Sequence, residues 1–305
     1  MNQCRVTVVI PTYNCFKTLI AAIETVRAQK MPLEIIVVDD GSTDGSGEWL
    51  QQQTDITLLS TARLGVSKAR NAAISQAKGE LIAFLDADDY WHPDKLRFQL
   101  ALHDANPQMV LSFTDYHFIV DDQATQRNGF RFWPRFVSAL QPQASETGQC
   151  FDNFVAHVYC ENMVGTSTVI ARRDALLAVG GFDASLRSAS DWDLWLKLAQ
   201  CGDVGVVNRP LGQYTFGRTG AISTNHGRRA NAMKTILDRH VRSVWRQPVA
   251  MLIGYQRWFS AKADAKRAEH AYGRAMLTEG IGFLLRPRWL LAKRISNDTI
   301  KWLSA

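Results

Sequence analysis

Two rhythms of apolar and polar positions alternate through the first hundred residues. Val6–Ile10 is an unbroken aliphatic run, the pattern of a strand buried on both faces of a parallel sheet. Pro11-Thr12-Tyr13-Asn14 ends it. Between Phe16 and Gln29 the apolar residues Leu19, Ile20, Ile23 and Val26 recur at helical spacing. Leu33–Val38 repeats the strand pattern and stops at Asp39-Asp40-Gly41-Ser42-Thr43-Asp44-Gly45-Ser46, a turn and helix start leading into Gly47–Gln53. Ile56–Ser60 reads as a third strand and Gly65–Ala77 as an Ala-rich helix. Glu80–Leu85 is a fourth strand, closed by Asp86-Ala87-Asp88-Asp89, and Pro93–Asp104 a helix with Pro in its first turn.

This strand–helix order predicts an α/β fold, a mostly parallel central sheet flanked by helices. Ligands of such sheets bind beyond the carboxyl ends of the strands. Residues 12–14, 39–40 and 86–89 should therefore meet on one edge. Further along, Val110–Val120 reads as a strand containing Asp115, and Arg127–Gly148 as an aromatic, loop-like and mobile stretch. Val164–Ile170 predicts a strand, and Arg172–Val179 a helix stopped by Gly180-Gly181. Asp191–Gln200 has helical spacing, with Trp192 and Trp195 expected in the core. From Ala230 onward the chain is helical and basic.

Composition narrows the class. A chain of 305 residues with 46% hydrophobic content is not disordered as a whole. No apolar run nears the ~18–20 residues of a membrane-spanning helix, and no leader pattern opens the chain, so a cytoplasmic protein is expected. The five cysteines (Cys4, Cys15, Cys150, Cys160, Cys201) lack C-x-x-C spacing and suggest incidental thiols. The net charge of +6 is unevenly spread: residues 227–305 carry 16 Lys and Arg against 5 Asp and Glu, a net of +11. That divides the chain into a mildly acidic main domain, 1–226, and a basic, amphipathic helical region, 227–305.

Candidate chemistry centres on Asp86-Ala87-Asp88-Asp89. Three carboxylates in four residues repel one another unless a cation or hydrogen-bond donors compensate. A hard divalent cation that also bridges a diphosphate would do so; an acidic turn before a helix is the plainer reading. Asp39-Asp40 can accept hydrogen bonds from a base or ribose, or can simply shape a turn. Arg70 can pair with phosphate or with these aspartates. Neither G-x-G-x-x-G nor a P-loop nor a G-x-S-x-G elbow is present.

Four segments in order resemble the family-2 glycosyltransferases of GT-A fold: Val8–Asn14, Ile35–Asp44, Gly65–Asn71 and Phe84–Asp89. The likeness continues through Gly180-Gly181-Phe182-Asp183 and Ser190-Asp191-Trp192-Asp193-Leu194-Trp195-Leu196. The resemblance implies an inverting, metal-dependent enzyme that takes a sugar from a nucleotide donor, UDP-linked by preference. The acceptor would be a saccharide or lipid-linked saccharide of cell-surface polysaccharide synthesis. It implies that Pro11, Thr12, Tyr13, Asp39, Asp40, Arg70, Asp86 and Ala87 serve the nucleotide, with Asp40 matching the aspartate that reads the base edge and Asp39 beside it. Asp88 would hold Mn2+ or Mg2+, and Asp191 would be the catalytic base. Asp89, Asp193, Arg218 and His226 are further candidate contacts. The family's Glu before the base is Ser190 here. On a helix Asp191 and Asp193 face about 200° apart, so only one can enter a site. A catalytically silent sugar-nucleotide-binding or assembly protein is the alternative.

The region after residue 230 interleaves aromatic and aliphatic residues with Lys and Arg. Such a pattern suits an anionic membrane surface, or a helical appendage that packs on the protein itself. Nothing else in the chain supports a nucleic-acid partner.

Overall fold

A computed structural model describes residues 4–120, 123–146, 148–217, 225–285 and 289–303. The first seven elements follow the expected order: β1 (Val6–Thr12), α1 (Phe16–Arg27), β2 (Leu33–Asp39), α2 (Ser46–Leu50), β3 (Ile56–Ser60), α3 (Val66–Gln76) and β4 (Leu81–Phe84). Next come β5 (Tyr90–Trp91), α4 (Lys95–Ala105), β6 (Met109–Val120), β7 (Gln123–Asn128), α5 (Pro134–Val137), β8 (Gln149–Phe151) and α6 (Val155–Cys160). The chain continues through β9 (Ile170–Arg172), α7 (Arg173–Ala178), α8 (Ser190–Ala199) and β10 (Asp203–Thr215). Four helices follow: α9 (His226–His240), α10 (Pro248–Ala268), α11 (Tyr272–Leu285) and α12 (Trp289–Leu303).

Contacts divide the chain into two compact units. The first is Met1–Phe154, Met163–Ala184 and Lys197–Arg218; the second is Val155–Asn162, Ser185–Leu196 and Thr219–Ala305. The helices after residue 226 thus share a unit with two segments from the middle of the chain.

The first unit is built on a sheet of order β3-β2-β1-β4-β9-β6-β10-β5, with β7 beside β6 and β8 beside β10. The four N-terminal strands are parallel, and β1 and β4 are buried along their whole length, which explains their unbroken apolar runs. Beyond β4 the sheet is mixed, not mostly parallel: β9 runs antiparallel to both β4 and β6, and β6 pairs parallel with β10. Leu19, Ala22, Ile23 and Val26 of α1 pack on one face with Val8, Ile10 and Val37, so the helical spacing read along α1 marks its core side.

Two middle segments differ from expectation. Residues 166–168 form a 3-10 turn, and the strand is the later, shorter β9. Thr168 explains the difference: its hydroxyl and its amide both donate to the Gly165 carbonyl, a local alternative to the sheet ladder. The stretch expected to be loop-like and mobile, 127–148, contains α5 and 3-10 turns at Gly129–Phe132 and Pro142–Ser145. Its aromatics pin it. Phe130 and Phe136 are buried edge-to-face with ring centroids 4.9 Å apart, and both lie against Phe113.

Candidate functional site

Register brings the strand ends level. Thr12 of β1 pairs with Asp39 of β2, Asp39 with Ser60 of β3, and Val9 of β1 with Phe84, the last residue of β4. Three residues past Phe84 the chain reaches Ala87, so the acidic loop emerges beside Thr12. In the first unit the expected meeting of polar loops on one edge is therefore present.

Asp39 and Asp40 are both buried, with different partners. Asp40 takes three short hydrogen bonds on its carboxylate, from the Thr61 hydroxyl (2.6 Å), the Leu64 amide (2.7 Å) and the Gly65 amide (2.7 Å). It thereby fixes the loop that starts α3. Asp39 accepts from the Ser42 amide through Oδ1 (3.0 Å), and its Oδ2 lies over Gly47, where a Cβ would approach to 3.0 Å. Pro11 and Thr12 are buried; Tyr13 is exposed, with the Arg63 guanidinium 4.7 Å over its ring. The Thr12 hydroxyl is a buried polar atom without a hydrogen-bond partner.

The acidic loop is held from both sides. Ser167 accepts from the Asp86 amide (3.0 Å) and donates to Asp89 Oδ2 (2.6 Å), while its carbonyl accepts from the Trp91 indole (2.7 Å). Thr215, at the end of β10, donates its amide to Asp89 Oδ1 (2.8 Å) and its hydroxyl to the Asp88 carbonyl. Asp89 is 1% exposed. Burial pushes its carboxyl well above the usual carboxylate range, with Asp86 and Asp88 adding to the rise and the Ser167 and Thr215 bonds opposing it. Asp86 and Asp88 stay half-buried, and the Ala87 methyl is packed in the core. Neither Ser167 nor Thr215 carries a signal in the sequence by itself; only the tertiary contact reveals them.

Arg70 lies on α3 and is itself buried. Its Nη2 donates to Asp86 Oδ1 at 2.5 Å, its guanidinium stacks 5.1 Å from the Phe182 ring, and its Nε has no hydrogen-bond partner. The next residue secures the Gly-Gly-Phe-Asp segment. Asn71 donates to the Phe182 carbonyl (2.8 Å) and accepts from the Phe182 amide (2.9 Å). Phe182 in turn meets Phe84 edge-to-face at 5.4 Å. Gly181 sits at φ +64°, where a Cβ would come within 2.5 Å of Asn71 Oδ1, so only glycine fits.

Of the remaining candidates, Asp191, Asp193 and His226 belong to the second unit. Asp191 and Asp193 open α8. Asp191 is partly exposed and accepts from the Trp192 amide (2.8 Å). Asp193 is fully buried and accepts from Arg239 (2.8 Å) and His240 (2.9 Å) of α9. Its carboxylate is thus part of an internal ion network. Trp192 and Trp195 are core residues, as expected. His226 is exposed at the first residue of α9, and Arg218 lies outside the described residues. Among the described residues no group of three or more His, Cys, Asp or Glu is arranged to hold a metal, and no helix is long and apolar enough to cross a membrane.

Residues 7–170 match the family model described as Glycosyl transferase family 2. The chain belongs to that family. Among its curated relatives is the E. coli UDP-Glc:alpha-D-GlcNAc-diphosphoundecaprenol beta-1,3-glucosyltransferase WfaP, 28% identical over 240 residues that cover 76% of this chain and 86% of the relative. The amylovoran biosynthesis glycosyltransferase AmsB of Erwinia amylovora is 28% identical, over 70% of each chain. An uncharacterized glycosyltransferase of Rickettsia conorii is 29% identical, but the chain spans only about a third of its length (33%). Among solved structures, S. aureus TarS 1-349 aligns with TM-score 0.64 at 18% identity, covering 97% of this chain and 90% of TarS. The mannosyltransferase PcManGT of Pyrobaculum calidifontis, solved with GDP-Man and Mn2+, aligns at TM-score 0.59 and 20% identity over 98% and 87%. The shared fold is the GT-A type, and the alignment with TarS extends through the C-terminal helices.

Proposed function

We propose that the chain is an inverting glycosyltransferase that moves a sugar from a nucleotide-sugar donor, UDP-linked, to a hydroxyl of a saccharide or lipid-linked saccharide in cell-surface polysaccharide synthesis. The observation that carries this reading is the Asp86–Asp89 loop. It is held rigid at a strand end by Arg70, Ser167 and Thr215, beside a buried Thr12 hydroxyl and an Arg70 Nε that both lack partners. Membership of the family and the names of WfaP and AmsB support the substrate class.

In this reading Pro11, Thr12 and Tyr13 line the base and ribose, and Asp39 accepts from the base. Asp40 acts one step removed, by orienting the loop and helix that carry Arg70. Ala87 contributes backbone only, because its methyl is in the core. The donor set suits a hard divalent cation, Mn2+ or Mg2+. Asp88, the last aspartate of the Asp86-Ala87-Asp88 motif, is proposed to hold the ion, while Asp86 bonds Arg70 and Asp89 bonds Ser167 and Thr215. One carboxylate plus phosphate oxygens is a common way to hold such an ion, without an all-protein cage. When bound, the cation supplies charge neutralisation for the departing diphosphate.

Asp191 is assigned as general base, and Asp193 is not, since it is sealed in the core. The acceptor oxygen forms a bond to the anomeric carbon while the bond from that carbon to the diphosphate breaks. The acceptor proton passes to Asp191, and the anomeric centre inverts. Asp89, Arg218 and His226 are proposed contacts to donor or acceptor. The silent, binding-only alternative drew support from Ser190 alone; Ser190 is buried, and its substitution for Glu leaves Asp191 in place. The test uses the full chain, a panel of sugar nucleotides and Mn2+. Asp88→Asn should abolish donor turnover, and Asp191→Asn should retain donor binding but lose transfer. Full activity in either variant overturns the corresponding assignment.

A further inference from the structure

Helix α11 in the second unit is amphipathic in the inverted sense. Its inward stripe is Ala275, Glu279 and Gly282, all buried. Its outward stripe is Leu277 (66% exposed), Ile281 (49%) and Leu284 (80%). Both stripes have i, i+4, i+7 spacing and are offset by two residues, about 200° around the helix. Gly282 permits close contact with α10: a Cβ there would meet the Phe259 Cβ at 3.1 Å. Glu279 is fully buried and bonded to Ser260 (2.7 Å), Arg267 (2.9 Å) and Arg294 (3.3 Å). Single exposed leucines are ordinary. A regular stripe of them, opposite an inner face made of a carboxylate and two small residues, is not what burial against the rest of a soluble chain produces.

The same end of the α10–α11 hairpin adds more apolar surface. The contact between Gly282 and Phe259 sets the register, so Leu284 lies towards the end of the hairpin that carries Val249 (57% exposed) and Leu252 (42%). Trp245 (65% exposed) precedes them, with the Arg246 guanidinium 4.8 Å over its ring.

Charge decides the occupant. All five acidic residues after 226 are spent internally: Asp238 on Lys234, Glu269 on Lys266, and Asp264, Glu279 and Asp298 on Arg267, with Arg294 joining Asp264 and Glu279. The surplus of the +11 region therefore lies outside, on exposed residues such as Arg242, Arg246, Lys262 and Arg274. Arg274 is one turn from Leu277 on the outward stripe. Aliphatic side chains flanked by cations, on helices too short or too polar to span, fit a surface lying on an anionic bilayer.

We propose that the Leu277-Ile281-Leu284 face of α11, with Trp245, Val249, Leu252 and the neighbouring arginines, docks this protein on an anionic lipid bilayer. The purpose of that docking rests on the lipid-linked acceptor proposed above; its physics does not. The test is co-sedimentation of the full chain with phosphatidylcholine vesicles, with and without about 30 mol% phosphatidylglycerol. The expected result is binding that needs the anionic lipid and weakens with salt. The L277D/I281D/L284D variant should bind roughly tenfold less or worse, at unchanged donor hydrolysis in vesicle-free buffer. An Arg246→Glu, Arg274→Glu variant, which leaves the apolar stripe intact, should lose binding to the anionic vesicles with its melting temperature unchanged. Equal vesicle binding by wild type and the triple variant overturns the proposal. So does light scattering that shows a wild-type dimer broken by the triple variant, since a second copy would then own the face. Absence of sugar transfer with every donor would sink the function proposed above while leaving the vesicle result standing.

Discussion

Gly181→Ala tests how the site is braced. The substitution has two separable costs. Alanine at φ +64° pays the left-handed penalty, about 1–2 kcal/mol. Its Cβ also lands within 2.5 Å of Asn71 Oδ1, so Asn71 must move and release the Phe182 amide and carbonyl. Two hydrogen bonds at about 0.5–1.5 kcal/mol each add about 1–3 kcal/mol. The single variant should therefore lose about 2–5 kcal/mol of unfolding free energy. Asn71→Ala alone should lose only the hydrogen-bond part. In the double variant the clash has no target, and the hydrogen bonds are already gone. The two effects should then fall short of additivity by about 1–3 kcal/mol. Urea unfolding of the four proteins measures this. Additivity within about 0.5 kcal/mol would refute the reasoning, because the Gly181 effect would then not pass through Asn71.

Three further outcomes are expected. Ser167→Ala removes the acceptor of the Asp86 amide and a donor to buried Asp89; sugar transfer should fall more than about tenfold, read as kcat, with roughly 1–3 kcal/mol lost in unfolding. Burial holds the His103 imidazole down to about 4 from 6.5, so the folded state resists its protonation. The stability contributed by neutral His103 is complete above pH 6.5 and is lost as pH falls towards 4, at about 1.4 kcal/mol per pH unit; His103→Gln should flatten that slope in unfolding titrations between pH 4.5 and 7. Asp40→Asn should lower the melting temperature more than Asp39→Asn, while Asp39→Asn should cost more donor affinity by calorimetric titration with UDP; the reverse ranking would exchange their roles.

The sequence made the N-terminal half of the sheet legible because its strands are buried on both faces and its helices repeat at 3.6 residues. Burial of that kind writes itself into consecutive residues. The second half of the sheet was less readable for a physical reason. β10 runs Asp203–Thr215 and includes Pro210 and the polar residues Asn208, Arg209, Gln213 and Thr215 after Val207, and its pairing with β6 shifts register at Val207/Pro210 and Pro210/Gln213. β5 is only two residues long and exists because Gly212 and Gln213 pair with it. The acidic loop itself could be picked out by eye, yet its clamps could not. Ser167 and Thr215 lie 78 and 126 positions from Asp89 and become neighbours only once the sheet closes. Likewise, Asp191 and Asp193 look equivalent along the chain, and only the arrival of Arg239 and His240 takes Asp193 into the core.

Asp40 shows why the order of positioning matters more than the inventory of acids. A carboxylate that accepts three hydrogen bonds of 2.6–2.7 Å has little acceptor capacity left for a base edge. What those bonds do is set the start of α3, because two of their donors are the amides of Leu64 and Gly65, the residues just before the helix. A helix whose first turn is fixed carries its fifth residue, Arg70, to a defined place, and there Arg70 meets Asp86. The second strand end is therefore coupled mechanically to the fourth. With Arg70 buried and Asp86 half-buried, the pair gains little net stability from its own attraction, because desolvation of the guanidinium offsets much of it. Its value lies in geometry: it leaves Asp86 no freedom to wander, and with Ser167 and Thr215 holding the other end of the loop, the Asp88 backbone is fixed before any ligand arrives. Preorganisation of that kind is what a site needs if its charges are to favour a diphosphate in flight over one at rest.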